Sequence, residues 1–225
     1  MREKMNASRR ELLQRAALVG AGGFGRLAGA AGVTRSGLAL RSAVVAGVAS
    51  SALAAGGPAR SQEAPTRGIR GRPAPEIELD YWIDGAGEAT RFSVADSRGK
   101  WVFLKCFQNW CPGCHKSGFP TLKAFADAFH EHPDVAIAGI QTVFEGHSVN
   151  TREAVRELAL RYDLPNVMGH DPGDPKTHQP PQTMQRYRTG GTPWLILIEP
   201  GGTVVFDGFH VDKNRLIDYV GEQLA

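Results

Sequence analysis

The chain has 225 residues, 42% hydrophobic and 22% charged, which is room for one domain with a buried core and an ordinary globular composition. Its formal charge of +3 excludes less than it suggests, because residues 1–62 hold nine Lys/Arg against two Asp/Glu and the rest of the chain is left with 17 against 21. The basic excess therefore lies in the leader, and the domain carries no electrostatic footprint for nucleic acid.

The leader itself is patterned. In "ASRRELLQRAALVGAGGFG" the pair Arg9-Arg10 follows a serine and precedes Leu12 and Leu13, and a weakly apolar Gly/Ala-rich run comes next. This resembles a twin-arginine export signal, and Ala52-Leu53-Ala54 supplies an A-x-A for a signal peptidase. Arg26, Arg35 and Arg41 break the apolar stretches well short of the roughly 18 residues of a membrane span. The expected organisation is an export signal over 1–55, a Gly/Pro/Arg-rich linker over 56–75 and one domain over 76–225, which places the mature protein in the periplasm.

Within the domain, "IELDYWIDG" alternates Ile77, Leu79 and Tyr81 on one face, and "TRFSVADSRGK" gives a short partner beyond a turn at Asp84-Gly85. "WVFLKCF" reads as a central strand covered on both faces. A helix follows, opened by Pro112, with Phe119, Leu122, Phe125, Ala126 and Phe129 at helical spacing and a kink expected at Pro120. "VAIAGIQTV" predicts a parallel strand, "NTREAVRELALRYDL" a helix and "VMGHD" a short strand. After a Pro-rich loop come a helical piece around Met184 to Tyr187, a hairpin in "TPWLILIEPGGTVVFDG" and a closing amphipathic helix in "VDKNRLIDYVGEQL". This order gives an α/β fold with a central mixed sheet between helices.

Two of the three cysteines fall in "FQNWCPGCHKSGFP", between the central strand and its helix. Locally the string admits a redox dithiol, half a zinc site, or the C-x-x-C-H of a c-type haem. His130, His132, His147, His170, His178 and His210 have no ligand-like spacing to the pair, which argues against zinc. A haem is loaded onto an unfolded chain, whereas a twin-arginine route exports folded protein, so no cofactor or metal is expected. The dithiol reading remains: at the helix N-terminus, unpaired N–H groups and the helix dipole favour a thiolate at Cys111, and Cys114 one turn on is the resolving thiol. Cys106, on the opposite face of the strand from Lys105, is expected to be an inert core thiol.

"FLKCFQNWCPGC", the helix-strand insertion from Thr151 to Met168 and the "YRTGGTPWLILIEPGGTVVFDG" tail resemble the thioredoxin-fold redoxin superfamily, in particular its TlpA/ResA-like periplasmic thiol-disulfide oxidoreductases. The resemblance implies a thioredoxin-like sheet with a TlpA-like helix-strand insertion. It further implies a cis Pro193 facing the dithiol, with Thr192 offering backbone hydrogen bonds to an extended peptide. Trp110 would shield one flank of Cys111, while Pro112 and Gly113 between the thiols would influence redox poise. Lys105, six residues before Cys111, stands where many thioredoxins carry a buried acid, and would favour thiolates by its charge or accept a proton from them. The implied partners are protein disulfides and a membrane electron donor of the DsbD/CcdA type; nothing in the pattern specifies an oligomeric state. A peroxiredoxin-like peroxidase is the alternative, as is a disulfide oxidase or isomerase. Against peroxidase activity, the Pro-x-x-x-Thr-x-x-Cys arrangement of peroxiredoxins is replaced by Leu104 and Gln108 ahead of Cys111.

Overall fold

The seven residues Trp101–Phe107 (β2) are all buried, as a strand with both faces covered requires. In the computed structural model, which describes residues 67–225, β2 lies at the centre of a six-stranded mixed sheet. The other strands are Trp82–Ile83 (β1), Val135–Val143 (β3), Val167–Pro172 (β4), Trp194–Ile198 (β5) and Val204–Gly208 (β6). Their order is β1-β4-β3-β2-β5-β6. β3 runs parallel to both β2 and β4, while β5 runs antiparallel to β2 and β6, and β1 antiparallel to β4. The helices are Phe119–Phe129 (α1), Arg152–Arg161 (α2), Gln182–Arg186 (α3) and Lys213–Leu224 (α4). This is the expected thioredoxin-like α/β fold, with α2 and β4 as the inserted helix-strand unit.

Strand alternation divides the core. Phe103 and Phe107 of β2 join Leu122, Phe125, Val155, Leu158, Leu216 and Val220 on one face, and Val102, Leu104 and Cys106 join Ile77, Ile140, Tyr187 and Ile196 on the other. Each large apolar side chain buried this way contributes about 1.5–3 kcal/mol. The helices start where their caps allow: Thr151 accepts from the Ala154 N–H, and Asp212 from the N–H groups of Asn214 and Arg215.

Three local expectations change. Residues 67–75, expected as linker, are packed on the domain: the N–H groups of Gly71 and Ala74 donate to Val204 and Gly202 O (2.8 Å each), and Val204 N–H donates to Arg72 O (2.9 Å). Ile69 and Ala74 are buried. Gly, Pro and Arg here serve a loop that covers the outer edge strand, whose backbone groups otherwise lack partners. The export signal expected over 1–55, and residues 56–66, lie outside the described residues. The hairpin expected from Ile77 shrinks to the two residues of β1 and a single bridge between Ile83 and Ala89. Ile77 and Tyr81 pack into different halves of the core, because the extended chain does not keep strict alternation there. The kink expected at Pro120 is a π-helical turn over Cys114–Gly118, in which Phe119 N–H reaches back to Cys114 O. Pro120 has no N–H to give and its ring crowds the preceding turn, and the wider turn makes the room.

Candidate active site

The dithiol sits where β2 ends and the helix begins. Gln108 O accepts from Cys111 N–H (3.3 Å), closing a turn around Asn109 and Trp110, and the helical backbone starts at Pro112. Cys111 Sγ accepts from Cys114 N–H at 3.2 Å and donates to Thr192 O at 3.4 Å. A sulfur that receives a backbone N–H at a helix start is in the environment that favours a thiolate. The three cysteines are free thiols. Cys111 retains 5% exposure and Cys114 has none, so Cys111 is the outer thiol and Cys114 the inner one. Burial pushes the Cys114 thiol up to about 11, with the charge of Lys105 pulling the other way.

The peptide between Thr192 and Pro193 is cis. Its proline packs on the helix from below: a Cβ at Gly113 would lie 3.1 Å from Pro193 Cδ, and one at Gly118 would lie 3.0 Å from Pro193 Cβ. Gly118 leaves room for a second neighbour, since the same Cβ would come within 2.7 Å of Lys105 Cε. Any larger residue there would have to push the lysine or the proline away.

Lys105 is fully buried on the face of β2 that looks toward the dithiol, and its Nζ has no hydrogen-bond partner. It sits 3.4 Å from the ring centroid of Phe119 and 4.7 Å from that of Phe107, contacts that return only part of the lost hydration. Desolvation brings the ammonium down to about 8, against the opposing pull of Cys114, then Cys111, then Cys106. Cys106 points into the other half of the core, and burial pushes its thiol well above the ordinary range.

Trp110 is 47% exposed beside the dithiol and rests on Gly146, where a Cβ would lie 3.0 Å from its Nε1. Thus Lys105, Trp110, Cys111, Pro112, Gly113, Cys114, Thr192 and Pro193 all converge on one end of the sheet. The ring of His115, next to Cys114, is engaged away from the sulfurs. Its Nε2 contacts Asn109 O (2.5 Å) and its Nδ1 the Tyr162 hydroxyl (2.7 Å).

Residues 70–206 match the AhpC/TSA family. The chain belongs to that family. No curated protein matches it. Among solved structures it is similar to a thioredoxin-like superfamily protein at 33% identity and a TM-score of 0.60, covering 68% of this chain and 96% of that one. A thiol-disulfide isomerase from Corynebacterium glutamicum is 31% identical with a TM-score of 0.57, over 68% and 97% of the two chains. A thiol:disulfide interchange protein from Chlorobium tepidum, 17% identical with a TM-score of 0.50 over 68% and 96%, shares the fold. This AhpC/TSA-family chain is a thioredoxin-fold redoxin with a cysteine pair placed for thiol-disulfide chemistry.

Gly118, Asn109, Asn150 and Tyr162 also belong to the surroundings of the dithiol in this redoxin, beyond the residues expected from the chain. Gly118, four residues beyond Cys114 and two before Pro120, had a readable signal, a glycine within a helical run next to a proline. The others meet only through tertiary contacts and left none.

Proposed function

We propose that the protein is a thiol-disulfide oxidoreductase that reduces protein disulfides through Cys111 and Cys114. The observation that carries this is the stacking of an outer thiol, Cys111, over a fully buried inner thiol, Cys114, with the unpartnered ammonium of Lys105 beneath them. The Cys111 thiolate attacks a substrate disulfide, a mixed disulfide forms and one substrate thiolate leaves. Cys114, as thiolate, then attacks Cys111 Sγ, the second substrate sulfur leaves with its electron pair, and the substrate has gained the two electrons that the Cys111–Cys114 pair has lost. Lys105 serves this second step: its charge stabilises the Cys114 thiolate, which burial otherwise disfavours, and its lowered affinity for a proton suits it to exchange one near neutral pH. Trp110 offers a half-exposed apolar surface beside Cys111. Pro112 and Gly113 set the poise of the pair, and the backbone of Thr192 ahead of Pro193 meets an extended client segment.

Export by the twin-arginine route to the periplasm fits this chemistry, and there a reductant needs electrons, supplied by a membrane donor of the DsbD/CcdA type. Changing Arg9 and Arg10 to lysine is expected to leave precursor in the cytoplasm; unchanged delivery would remove the route.

Membership of the AhpC/TSA family raises thiol peroxidase as a second reading. Gln108, at the position of the peroxiredoxin threonine, is buried and turns its amide to Thr142 O (3.2 Å), which leaves Cys111 without that activating group. Peroxide consumption is therefore expected to be slow beside disulfide reduction. The direct test is insulin reduction in a dithiothreitol-coupled assay. Cys111→Ser is expected to abolish turnover and Cys114→Ser to trap mixed disulfides, and undiminished turnover of the Cys111→Ser protein would overturn the proposal.

A further inference from the structure

The turn that delivers Cys111 is held from outside by residues far away in sequence. Asn109 is its first central residue, a position whose backbone N–H and C=O point away from the turn and are ordinarily left to water. Here its N–H donates to Asn150 Oδ1 at 2.6 Å, its C=O accepts from His115 Nε2, and its side-chain Nδ2 donates to Val149 O at 3.2 Å. A carbonyl only accepts, so the His115 proton is on Nε2, and in the neutral ring Nδ1 accepts from the Tyr162 hydroxyl.

The anchors are themselves fixed. Asn150 is 2% exposed and its Nδ2 donates to Glu145 O (3.1 Å) and Gly146 O (3.0 Å). The His115 ring lies against Phe119 and stacks on Tyr162, which in turn stacks on Phe119 at 4.4 Å with only 14° between planes. Gly146, with φ +60°, brings the same loop under the indole of Trp110. One residue, two positions before Cys111, is thus tied to the loop after β3, to the active-site helix and, through Tyr162, to the end of α2.

We infer that Asn150 and His115 are positioning residues for the proposed exchange, clamping Asn109 so that Cys111 Sγ is kept within reach of the Cys114 N–H. Neither touches a reacting sulfur. Loosening the clamp lets Cys111 swing on its turn and lengthens the 3.2 Å hydrogen bond that the thiolate receives. The reduced form loses stabilisation while the covalently fixed disulfide does not, so the couple shifts toward disulfide.

This inference rests on the dithiol reading, and its test separates the two. Asn150→Ala, Asn150→Asp and His115→Phe would be compared with the unaltered protein in three measurements: the alkylation rate of Cys111 by iodoacetamide in a Cys114→Ser background, the equilibrium of the Cys111/Cys114 pair with glutathione, and the thermal midpoint. Partial loss of a hydrogen bond to a charged sulfur is expected to slow alkylation and favour the disulfide, each by roughly threefold to tenfold, in Asn150→Ala and His115→Phe. Asn150→Asp keeps the acceptor for Asn109 N–H but gives up both Nδ2 donations, to Glu145 O and Gly146 O, and brings a negative charge toward the thiolate, so it is expected to move both readouts in the same direction as Asn150→Ala. His115→Phe preserves the aromatic stack, so it decides the matter even if an Asn150 variant fails to fold. Folded variants that alkylate and equilibrate like the unaltered protein would overturn the clamp. A protein that alkylates as expected yet reduces no insulin would instead overturn the reductase reading and leave the clamp standing.

Discussion

Lys105 and Cys106 are neighbours on the central strand, both with no exposure, yet they face opposite halves of the core and meet opposite fates. Cys106 carries ordinary reactive chemistry and is silenced by its surroundings: burial, then the negative charge of Asp171, drive its thiol out of the range where a thiolate forms. Lys105 carries a charge that its apolar surroundings disfavour, and it is retained with no acceptor, under two thiols. A core side chain that costs stability without a partner points to a role that stability does not explain. The two faces of one strand thus separate packing from chemistry.

The comparison can be broken most forcefully by Lys105→Met, which keeps the volume and removes the charge. The folded chain holds this lysine near 8 against an ordinary 10.5, so the ammonium costs the fold on the order of 3 kcal/mol at neutral pH, and the variant is expected to be more stable by up to that amount. The sign fixes the pH window. Below about pH 8 the lysine is charged in both folded and unfolded chains and the full difference is present. Between about 8 and 10.5 the unfolded chain binds the extra proton, the unaltered protein gains on the variant, and the difference closes. Denaturant unfolding of both proteins across this range checks it, and a variant no more stable at pH 7 would show that Lys105 is not a buried cation.

The same substitution should slow the step it stabilises against. Without the charge the Cys114 thiol rises above its present value near 11, and release of the mixed disulfide at neutral pH is expected to fall about threefold to tenfold, seen by stopped-flow oxidation of the reduced pair. Equal traces would remove Lys105 from the mechanism. On the other face the expected effects are small. Cys106→Ala should cost about 1 kcal/mol for the lost sulfur contacts and leave insulin reduction within twofold. In the native protein Cys106 should resist alkylation while Cys111 reacts, as peptide mapping after a short pulse would establish.

Much of this was legible in the chain because its causes are local. The apolar run 101–107 fixed a two-sided strand, the alternation along it assigned Lys105 and Cys106 to different faces, and the proline after Cys111 announced a helix start. What escaped depends on distant partners. The linker-like residues 67–75 are drawn onto the domain by an edge strand more than a hundred positions later. The hold of Asn150 on Asn109 spans 41 positions and obeys no periodicity. The π-helical turn ends at Gly118, where a Cβ would meet Lys105 from another element, so the proline alone indicated a bend but not its form.

The midpoint potential of the Cys111/Cys114 couple, obtained by equilibration against glutathione buffers, tests the reductase proposal most directly. A reducing couple near the roughly −270 mV of thioredoxin is expected, and a value above about −150 mV, toward the roughly −120 mV of a strong periplasmic oxidant, would contradict it and make the protein an oxidase.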